Sequence, residues 1–320
     1  MPEITVLLAV YRPNPAYFTE LLKSLAAQTF QDFNVLVCDD SADTAESEQI
    51  RQTLSKELVN TPYQTMINAE NLGSNKTFER LMSEADGNWF ATCDQDDIWE
   101  PDKLQTLHQA VRQSGADMVY SDFSVIDGAD RTLYDSFSQI RRRFCHFTGE
   151  ELTKLLMISN CVTGCTVLMK ARAAKSALPF PAEFVHDRWL ALAAVAGNGV
   201  QYVNKPLVRY RLHSGNQIGF ATLGGVDNKP DYIKSLEEKR RGLKLIMKRF
   251  SFNHHVVLVA RETDSELERR LSLLRRPSLL KAARALRLKN TGKVRALFEI
   301  LLAFSPKWIC KRMISFSKKH

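Results

Sequence analysis

The chain has 320 residues, and its 44 Lys and Arg outnumber its 36 Asp and Glu, which gives a formal charge of +8. Apolar residues make up 44% and charged residues 25% of the chain, which excludes collagen-like, disulfide-rich and wholly disordered classes. Six scattered cysteines form no CxxC pair and no Cys/His spacing suited to zinc, so we expect reduced thiols in a cytosolic protein.

The positive charge is concentrated near the C-terminal end. Residues 265–320 contain fifteen Lys or Arg and three Glu, about +12, which leaves residues 1–264 near −4. Neither end predicts a membrane span, which needs roughly 20 mostly apolar residues. The first apolar run covers only residues 4–10, and residues 294–316 are interrupted by charges and a proline.

Short apolar runs alternate with helical patterns in the first part of the chain. Four strands are predicted, at residues 4–10, 35–38, 64–67 and 89–93. A helical pattern follows each strand, and the fourth helix has Pro101 in its first turn. This alternation predicts an α/β fold with a doubly wound, mostly parallel sheet. Long helical periodicity begins near residue 231, after a Gly-rich connection at residues 213–229.

The most informative segment is CDQDDIWEPDKL, which follows the fourth predicted strand. Ligands of such sheets bind at the carboxyl ends of the strands, where Asp94, Asp96 and Asp97 lie. Because three neighbouring carboxylates repel one another, we expect a divalent cation, Mg²⁺ or Mn²⁺, completed by water and a diphosphate. The alternative is a solvated acidic turn in which Asp97 or Glu100 caps the next helix.

A second acidic pair, Asp39 and Asp40, ends the second predicted strand. A carboxylate at this position can accept hydrogen bonds from a nucleobase N–H or from ribose hydroxyls. The alternative is an N-cap of the next helix, although Ser41 or Asp43 can also fill that role. The chain lacks GxGxxG after the first strand and lacks a P-loop, which argues against NAD(P) and P-loop NTPase chemistry.

Several segments together resemble a known family. LLAVYRPNPAYFTELLKSLAAQTFQDFNVLVCDDSADT, NAENLGSNKTFERLM and WFATCDQDDIWEPDKL resemble the nucleotide-sugar-binding half of family 2 glycosyltransferases with the GT-A fold. NCVTGCTVLMKARAAKSALPFP, HDRWLALAA and PLVRYRLHSGNQIG resemble the acceptor half of a bacterial branch that includes rhamnosyltransferases of surface polysaccharide assembly. The resemblance implies a GT-A domain at residues 1–220, with a nucleotide-sugar-binding half at 1–122 and an acceptor half at 123–220. A basic helical region follows at residues 221–320.

The resemblance implies roles for both acidic clusters. Asp94, Gln95 and Asp96 form the DxD motif, in which Asp96 is the direct metal ligand and Asp94 faces the donor or the metal. Asp39, or Asp40 beside it, contacts the nucleotide.

Other positions are implied to serve the donor. Asn71 and Gly73 shape a loop from which Lys76 reaches the nucleotide sugar. Arg211 brings positive charge to the departing diphosphate, and His213, in the YRxH motif, brings an imidazole that can bind metal. The alternative for Arg211 is the solvated face of an edge strand.

The implied reaction is an inverting transfer, which needs a base on the side of the sugar opposite the leaving diphosphate. Asp187 matches the position of that base, and the alternative is an ordinary helix cap kept ionised by the helix dipole. The acceptor side is implied to include Asn160, Thr163, Gly164, His186 and Trp189. Packing in the core is the alternative for these residues.

The basic C-terminal region mixes bulky apolar residues with Lys and Arg, a pattern typical of helices that lie on anionic lipid. A polyprenyl-diphosphate-linked acceptor would be found at such a surface. The alternatives are packing on the acidic part of the chain or simple solvation. The region contains no nucleic-acid recognition module, so we expect no nucleic-acid partner.

Together these inferences predict an inverting glycosyltransferase that is cytoplasmic and peripheral at the inner face of the plasma membrane. It would transfer a sugar, such as L-rhamnose from dTDP-rhamnose, to a lipid-linked or surface glycan of O-antigen or capsule type. A UDP-sugar donor for galactosyl-, glucosyl- or N-acetylhexosaminyl-transfer is the alternative. The rival classes are a sugar-nucleotide nucleotidyltransferase and a non-catalytic, membrane-associated glycan-binding scaffold.

Overall fold

The computed structural model describes residues 1–140, 147–213, 226–288 and 292–319. The chain divides into two compact units, Met1–Gly215 and Asn216–His320. The domain boundary predicted between residues 220 and 221 lies outside the described residues.

The first unit contains all the described strands. They are β1 (Ile4–Val10), β2 (Phe33–Asp39), β3 (Tyr63–Ile67), β4 (Trp89–Cys93), β5 (Ile98–Trp99), β6 (Met118–Ile126), β7 (Thr132–Tyr134), β8 (Val167–Lys170) and β9 (Val200–Arg211). Its α-helices are α1 (Pro15–Ala26), α2 (Thr44–Glu57), α3 (Ser74–Glu84), α4 (Lys103–Ser114), α5 (Phe137–Ile140), α6 (Gly149–Leu156), α7 (Ala171–Ser176) and α8 (His186–Ala196).

The strands form one sheet in the order β3-β2-β1-β4-β8-β6-β9-β5, and β7 pairs with β6. Strands β1 to β4 are mutually parallel, as are β6 and β9, whereas β8 runs antiparallel to both β4 and β6. The prediction of a mostly parallel α/β sheet flanked by helices is confirmed. Because β2 and β4 flank β1 in the same direction, both acidic clusters lie at one edge of the sheet.

Local signals explain why the predicted elements form. Asn14 caps α1 by accepting hydrogen bonds from two backbone N–H groups, and Pro15 occupies the first helical position. Pro101, expected inside a helix, instead precedes α4, which begins at Lys103. The short strand β5 was not predicted, because two residues form a strand here only by pairing with β9.

The second unit consists of helices in the part that the structure describes. They are α9 (Lys229–Arg249), α10 (His254–Arg275), α11 (Leu279–Ala285), α12 (Lys293–Phe304) and α13 (Lys307–Lys319). The predicted C-terminal helical region is therefore confirmed. None of the helices in the described ranges combines the length and apolar character needed to cross a membrane.

A buried ion pair connects three helices of this unit. The guanidinium of Arg270 in α10 donates to both carboxylate oxygens of Glu299 in α12, at 2.6 to 3.0 Å. The hydroxyl of Tyr232 in α9 donates to the same carboxylate at 2.7 Å. The Glu299 side chain is 0% exposed, so its charge depends on these partners.

We expect Arg270→Ala to lower the free energy of unfolding by about 3 to 5 kcal/mol, because it leaves the Glu299 carboxylate buried without its cation. Arg241→Ala is the matched control, because Arg241 pairs with Glu238 on the surface, where such pairs contribute about 0 to 1 kcal/mol. Urea unfolding of both variants measures the difference. Equal losses would contradict the importance of the buried pair.

Candidate active site

The carboxylate of Asp40, directly after β2, organises the loop that leads into α3. One oxygen accepts from the Leu72 N–H at 2.8 Å and from the Asn68 side-chain amide at 2.6 Å. The other accepts from the Gly73 N–H at 2.9 Å and the Asn71 side chain at 3.2 Å. Gly73 has φ of +77°, which favours glycine, and precedes α3. Asp40 therefore positions the loop that contains Asn71 and Gly73.

Asp39 is buried at the end of β2 and is held by the start of the following segment. It accepts hydrogen bonds from the Ser41 N–H at 2.8 Å and from the Ser47 hydroxyl. A small cavity beside it is lined in part by Arg51 and Ile67. The N-cap of α2 is Asp43, so neither Asp39 nor Asp40 is used for that purpose.

The segment after β4 is tied to two distant parts of the unit. A carboxylate oxygen of Asp96 contacts Nε2 of His213, beyond the end of β9. The side-chain amide of Gln95 accepts from the Tyr11 N–H at 2.7 Å and donates to the Tyr11 carbonyl at 3.0 Å. The segment after β4 is thus held to the end of β1 and to the end of β9, and the structure brings Asp96 and His213 together.

The side chain of Arg211 is completely buried beneath this segment. This position differs both from the solvated strand face and from the open anion-binding site that the sequence suggested for Arg211. Its Nε donates to the Asp96 carbonyl at 2.9 Å, and another nitrogen donates to Glu20 at 2.6 Å. A further ion pair is made with Asp130. The guanidinium also lies 4.3 Å from the centre of the Tyr17 ring. The contacts of Arg211 are therefore to the protein, where it positions the backbone of Asp96.

Asp94, Asp97 and Cys165 form a cluster of side chains that could bind a metal ion. One carboxylate oxygen of each aspartate and the Cys165 sulfur all lie within 4.8 Å of one another. Burial, together with the charges of Asp96 and Asp187, raises the pKa of Asp94 to about 7, while the charge of Lys103 opposes the rise. Burial also raises the pKa of Asp97 well above its usual range. The like charges are thus close enough for protonation or a bound cation to relieve them.

Lys103 is a buried cation that the sequence analysis missed. Its Nζ donates to the Cys165 carbonyl at 2.6 Å and lies 3.0 Å from the centre of the Trp99 ring. Burial lowers its pKa to about 7, although the neighbouring thiols and Asp97 favour its charged form. The signal that could have found it is a lysine beside Leu104 on the apolar face of a helix.

Asp187 is the second residue of α8 and is 97% buried, since only 3% of its surface is exposed. It accepts a hydrogen bond from the Arg188 N–H. Burial raises the pKa of Asp187 to about 6, although this hydrogen bond and the Arg188 charge lower it. The carboxylate is therefore ionised near neutral pH and electrostatically linked to Asp94.

His186 packs beside this carboxylate with both ring nitrogens buried and without hydrogen-bond partners. The ring stacks on Phe78 at 4.3 Å, and burial lowers the pKa of His186 to about 4. A Cβ on Gly164 would lie 3.1 Å from Nε2, which explains the glycine there. The side chain of Asn75 accepts a hydrogen bond from the His186 N–H at 2.9 Å and donates one to the Phe184 carbonyl at 2.6 Å. The sequence analysis did not predict this connection between α3 and the start of α8.

Two other predicted site residues have different surroundings. Trp189 is buried in the core, donates to the Ala177 carbonyl at 2.9 Å and packs on Phe184, as the packing alternative describes. Lys76 is exposed on α3 and pairs with Glu79 at 2.7 Å.

The segment before β8 is held mainly by its own backbone. The Asn160 side chain bonds the backbone of Val162 at 2.8 and 3.0 Å, and the Thr163 carbonyl accepts from Thr166. The Gly164 carbonyl accepts from the Thr92 hydroxyl on β4. This last contact positions the segment beside Asp187.

The fold is similar to solved glycosyltransferase structures. Staphylococcus aureus TarS 1-349 in complex with UDP-GlcNAc matches with a TM-score of 0.58 and 17% identity, over 95% of this chain and 82% of that one. Mannosyltransferase PcManGT from Pyrobaculum calidifontis, in complex with GDP-Man and Mn²⁺, matches with a TM-score of 0.51 and 15% identity, over 94% and 86%. The architecture is therefore that of the GT-A glycosyltransferases.

The sequence comparisons define the family within this class. The model of glycosyl transferase family 2 matches residues 5–174. Succinoglycan biosynthesis protein ExoW of Rhizobium meliloti is 28% identical over 139 residues, which are 42% of this chain and 41% of ExoW. The Escherichia coli UDP-Glc:alpha-D-GlcNAc-diphosphoundecaprenol beta-1,3-glucosyltransferase WfgD is 23% identical over 60% of this chain and 70% of WfgD. The match to ExoW spans about two fifths of the length of that relative. The chain belongs to glycosyltransferase family 2.

We expect Asp40→Ala to destabilise the first unit by about 2 kcal/mol, because the backbone N–H groups of Leu72 and Gly73 lose their acceptor. Asp43→Asn is the control, since Asn caps a helix as well as Asp does. Urea unfolding compares the two variants. An Asp40→Ala protein as stable as the control would contradict the proposed role in the loop.

Proposed function

We propose that this enzyme is an inverting glycosyltransferase of polysaccharide biosynthesis that transfers a sugar from a nucleotide donor to a glycan acceptor. The observation that carries the proposal is the contact between Asp96 and His213, beside the electrostatically linked pair Asp94 and Asp187. A site for diphosphate departure and a buried carboxylate base thus adjoin each other. The names of ExoW and WfgD support a role in building glycans.

The proposed donor is a sugar linked to a pyrimidine nucleoside diphosphate. Asp39 and the loop held by Asp40 provide the polar groups for the nucleotide at the strand ends. UDP-GlcNAc in TarS and UDP-Glc in the name of WfgD support a UDP-sugar, while the sequence motifs favour dTDP-rhamnose. A thermal-shift screen of both nucleotide classes distinguishes these donors.

The donor set of Asp96, Asp94 and His213 fits a divalent cation. Carboxylate oxygens with one imidazole suit Mn²⁺ or Mg²⁺, and a carboxylate oxygen of Asp96 contacts Nε2 of His213. When bound, such an ion would supply positive charge to the departing diphosphate. The Mn²⁺ in the PcManGT complex supports this assignment.

The remaining chemistry is carried by side chains around Asp187. Its ionised carboxylate accepts the proton of the acceptor hydroxyl as that oxygen attacks the sugar. The Arg188 N–H holds the carboxylate in place, and the hydrogen bond from His186 N–H to Asn75 fixes the start of its helix. Because Asp187 is buried, few waters compete with the acceptor for it.

The proposed acceptor is linked to a polyprenyl diphosphate, so the enzyme would work as a peripheral protein at the inner face of the plasma membrane. The name of WfgD, which contains a diphosphoundecaprenol acceptor, supports this proposal. The strongly basic residues 265–320 are compatible with such a location.

We expect Asp96→Ala to lower Mn²⁺-dependent release of nucleoside diphosphate more than about a hundredfold, because the site loses its central ligand. Asp43→Asn, a helix cap on the same unit, is expected to keep wild-type turnover. Both variants are assayed with the donor identified by the screen. Undiminished turnover in Asp96→Ala would favour a different metal site or a non-catalytic protein.

We expect kcat/KM to fall about tenfold per pH unit below about pH 6, because Asp187 must be ionised to act as a base. Asp187→Asn is expected to lower kcat at least about a hundredfold. The pKa of Asp187 is about 6 in the folded protein, above the ordinary value of 3.8 that it takes in the unfolded chain. Protonated Asp187 therefore adds stability below pH 3.8, and this stability is lost as the pH rises to about 6. Asp187→Asn is therefore expected to be more stable than wild type at pH 7.5.

The pH–rate profile and urea unfolding at pH 7.5 measure these two effects. Asp187→Glu is the companion variant, since it keeps a carboxylate while changing its reach. An acid limb that is unchanged in Asp187→Glu, together with wild-type kcat in Asp187→Asn, would contradict the assignment of the base.

A further inference from the structure

We propose that helices α12 and α13 bind anionic phospholipid bilayers through a surface that we call the basic apolar surface. On α12 this surface consists of Val294, Leu297, Leu301 and Phe304, which we call the α12 stripe. On α13 it consists of Trp308 and Phe316, and the lysines and arginines around these residues complete it. The proposal rests on the membrane-borne acceptor proposed above and assigns the contact to particular residues.

The α12 stripe exposes bulky apolar side chains along one side of a helix. Its members recur at intervals of three and four residues, so they lie in one row. Val294 is 79% exposed, and the other three are at least half exposed. The opposite side, with Ala296 and Leu302, is buried. Nine of the nineteen exposed large hydrophobic residues in the described chain lie between residues 279 and 316, a concentration typical of an interaction surface.

The exposed charge of these helices has one sign. Glu299 is the only acidic residue between Arg269 and the end of the sequence, and it is buried against Arg270. The buried ion pair therefore removes the one carboxylate from the surface. The exposed charged residues described on α12 and α13 are Lys293, Arg295, Lys307, Lys311 and Arg312.

Helix α13 places aromatic and cationic side chains on the same side. Cys310 and Ile314 are buried, whereas Trp308 and Phe316 are about two-thirds exposed. At helical spacing, Lys311 lies next to Trp308 on the exposed side. Tryptophan beside lysine is the arrangement found at the boundary between lipid headgroups and acyl chains.

Of a second copy of the chain, a nucleic acid and an anionic bilayer, only the bilayer satisfies both properties. A second copy of the chain would bring like charges together across a self-complementary contact. A nucleic acid would neutralise the cations but leave the α12 stripe exposed to water. A bilayer of anionic phospholipids accepts the apolar side chains between its headgroups and attracts the cations.

The test is co-flotation of the full-length protein with phosphatidylcholine vesicles, with and without phosphatidylglycerol. We expect binding only to the anionic vesicles, weakened by salt. The double variant Leu297→Glu/Leu301→Glu is expected to lower the partition coefficient at least tenfold. The matched control is Val59→Glu/Phe252→Glu, at two residues that are each 75% exposed, and it is expected to bind as wild type does.

A second variant tests the charges without changing the apolar side chains. Lys307→Gln/Lys311→Gln/Arg312→Gln is expected to lower binding about a hundredfold, or about fivefold per charge. In addition, the fluorescence of Trp308 is expected to shift to shorter wavelength on vesicle binding, and Trp308→Phe is expected to remove the shift. Circular dichroism and urea unfolding check that each variant is folded.

The outcomes separate this proposal from the proposed catalytic function. Release of nucleoside diphosphate from a soluble donor, measured without vesicles, is expected to be unchanged in the surface variants. Wild-type protein that fails to float with anionic vesicles, or wild-type binding by both surface variants, would overturn the lipid surface while leaving the catalytic assignment intact. A dimer in sedimentation that Leu297→Glu/Leu301→Glu dissociates would replace the lipid with a second copy.

Discussion

The repulsion among carboxylates gathered after β4 and at the start of α8 is the constraint on which the first unit depends. Asp94 and Asp97 lie within electrostatic reach of Asp96 and of each other, and Asp187 lies within reach of Asp94. Burial raises the pKa of Asp94, Asp97 and Asp187. Such a cluster is stable only when protonation, positive charge or donated hydrogen bonds compensate it. The same condition is the physical basis of the proposed cation site and, through it, of the proposed diphosphate site.

The compensating groups come from parts of the chain far apart in sequence. Strand β9 delivers Arg211 and His213 to the loop after β4, and it does so because β9 pairs with both β6 and the two-residue strand β5. Lys103 approaches Asp97 and Asp94 from α4. The site is therefore assembled by sheet pairing, and its charges in turn hold the irregular segment after β4 to the sheet.

Several features of the candidate site were predictable because their chemistry is local. A run of aspartates at the end of an apolar strand indicates an acidic site. An aspartate such as Asp187 in the first turn of a helix indicates the start of that helix, whether or not the side chain is buried. Arg211 shows the limit of such inference. Alternation along a strand predicts exposure for its side chain, but the ring of Tyr17 and the acids Glu20 and Asp130 enclose it. Asn75 and Lys103 were missed because their partners lie far away in the sequence.

By itself, the sequence determined the alternation of strands and helices, the positions of the acidic clusters and the separation of a basic helical end. These features depend on periodicity and on neighbouring residues, which short-range physics controls. Only the tertiary structure decided which carboxylates are compensated, that Asp40 holds a loop and that Glu299 is hidden against Arg270. The free energy of a buried charge depends on its burial and on its pairing with residues distant in the sequence. A local sequence pattern carries no information about either.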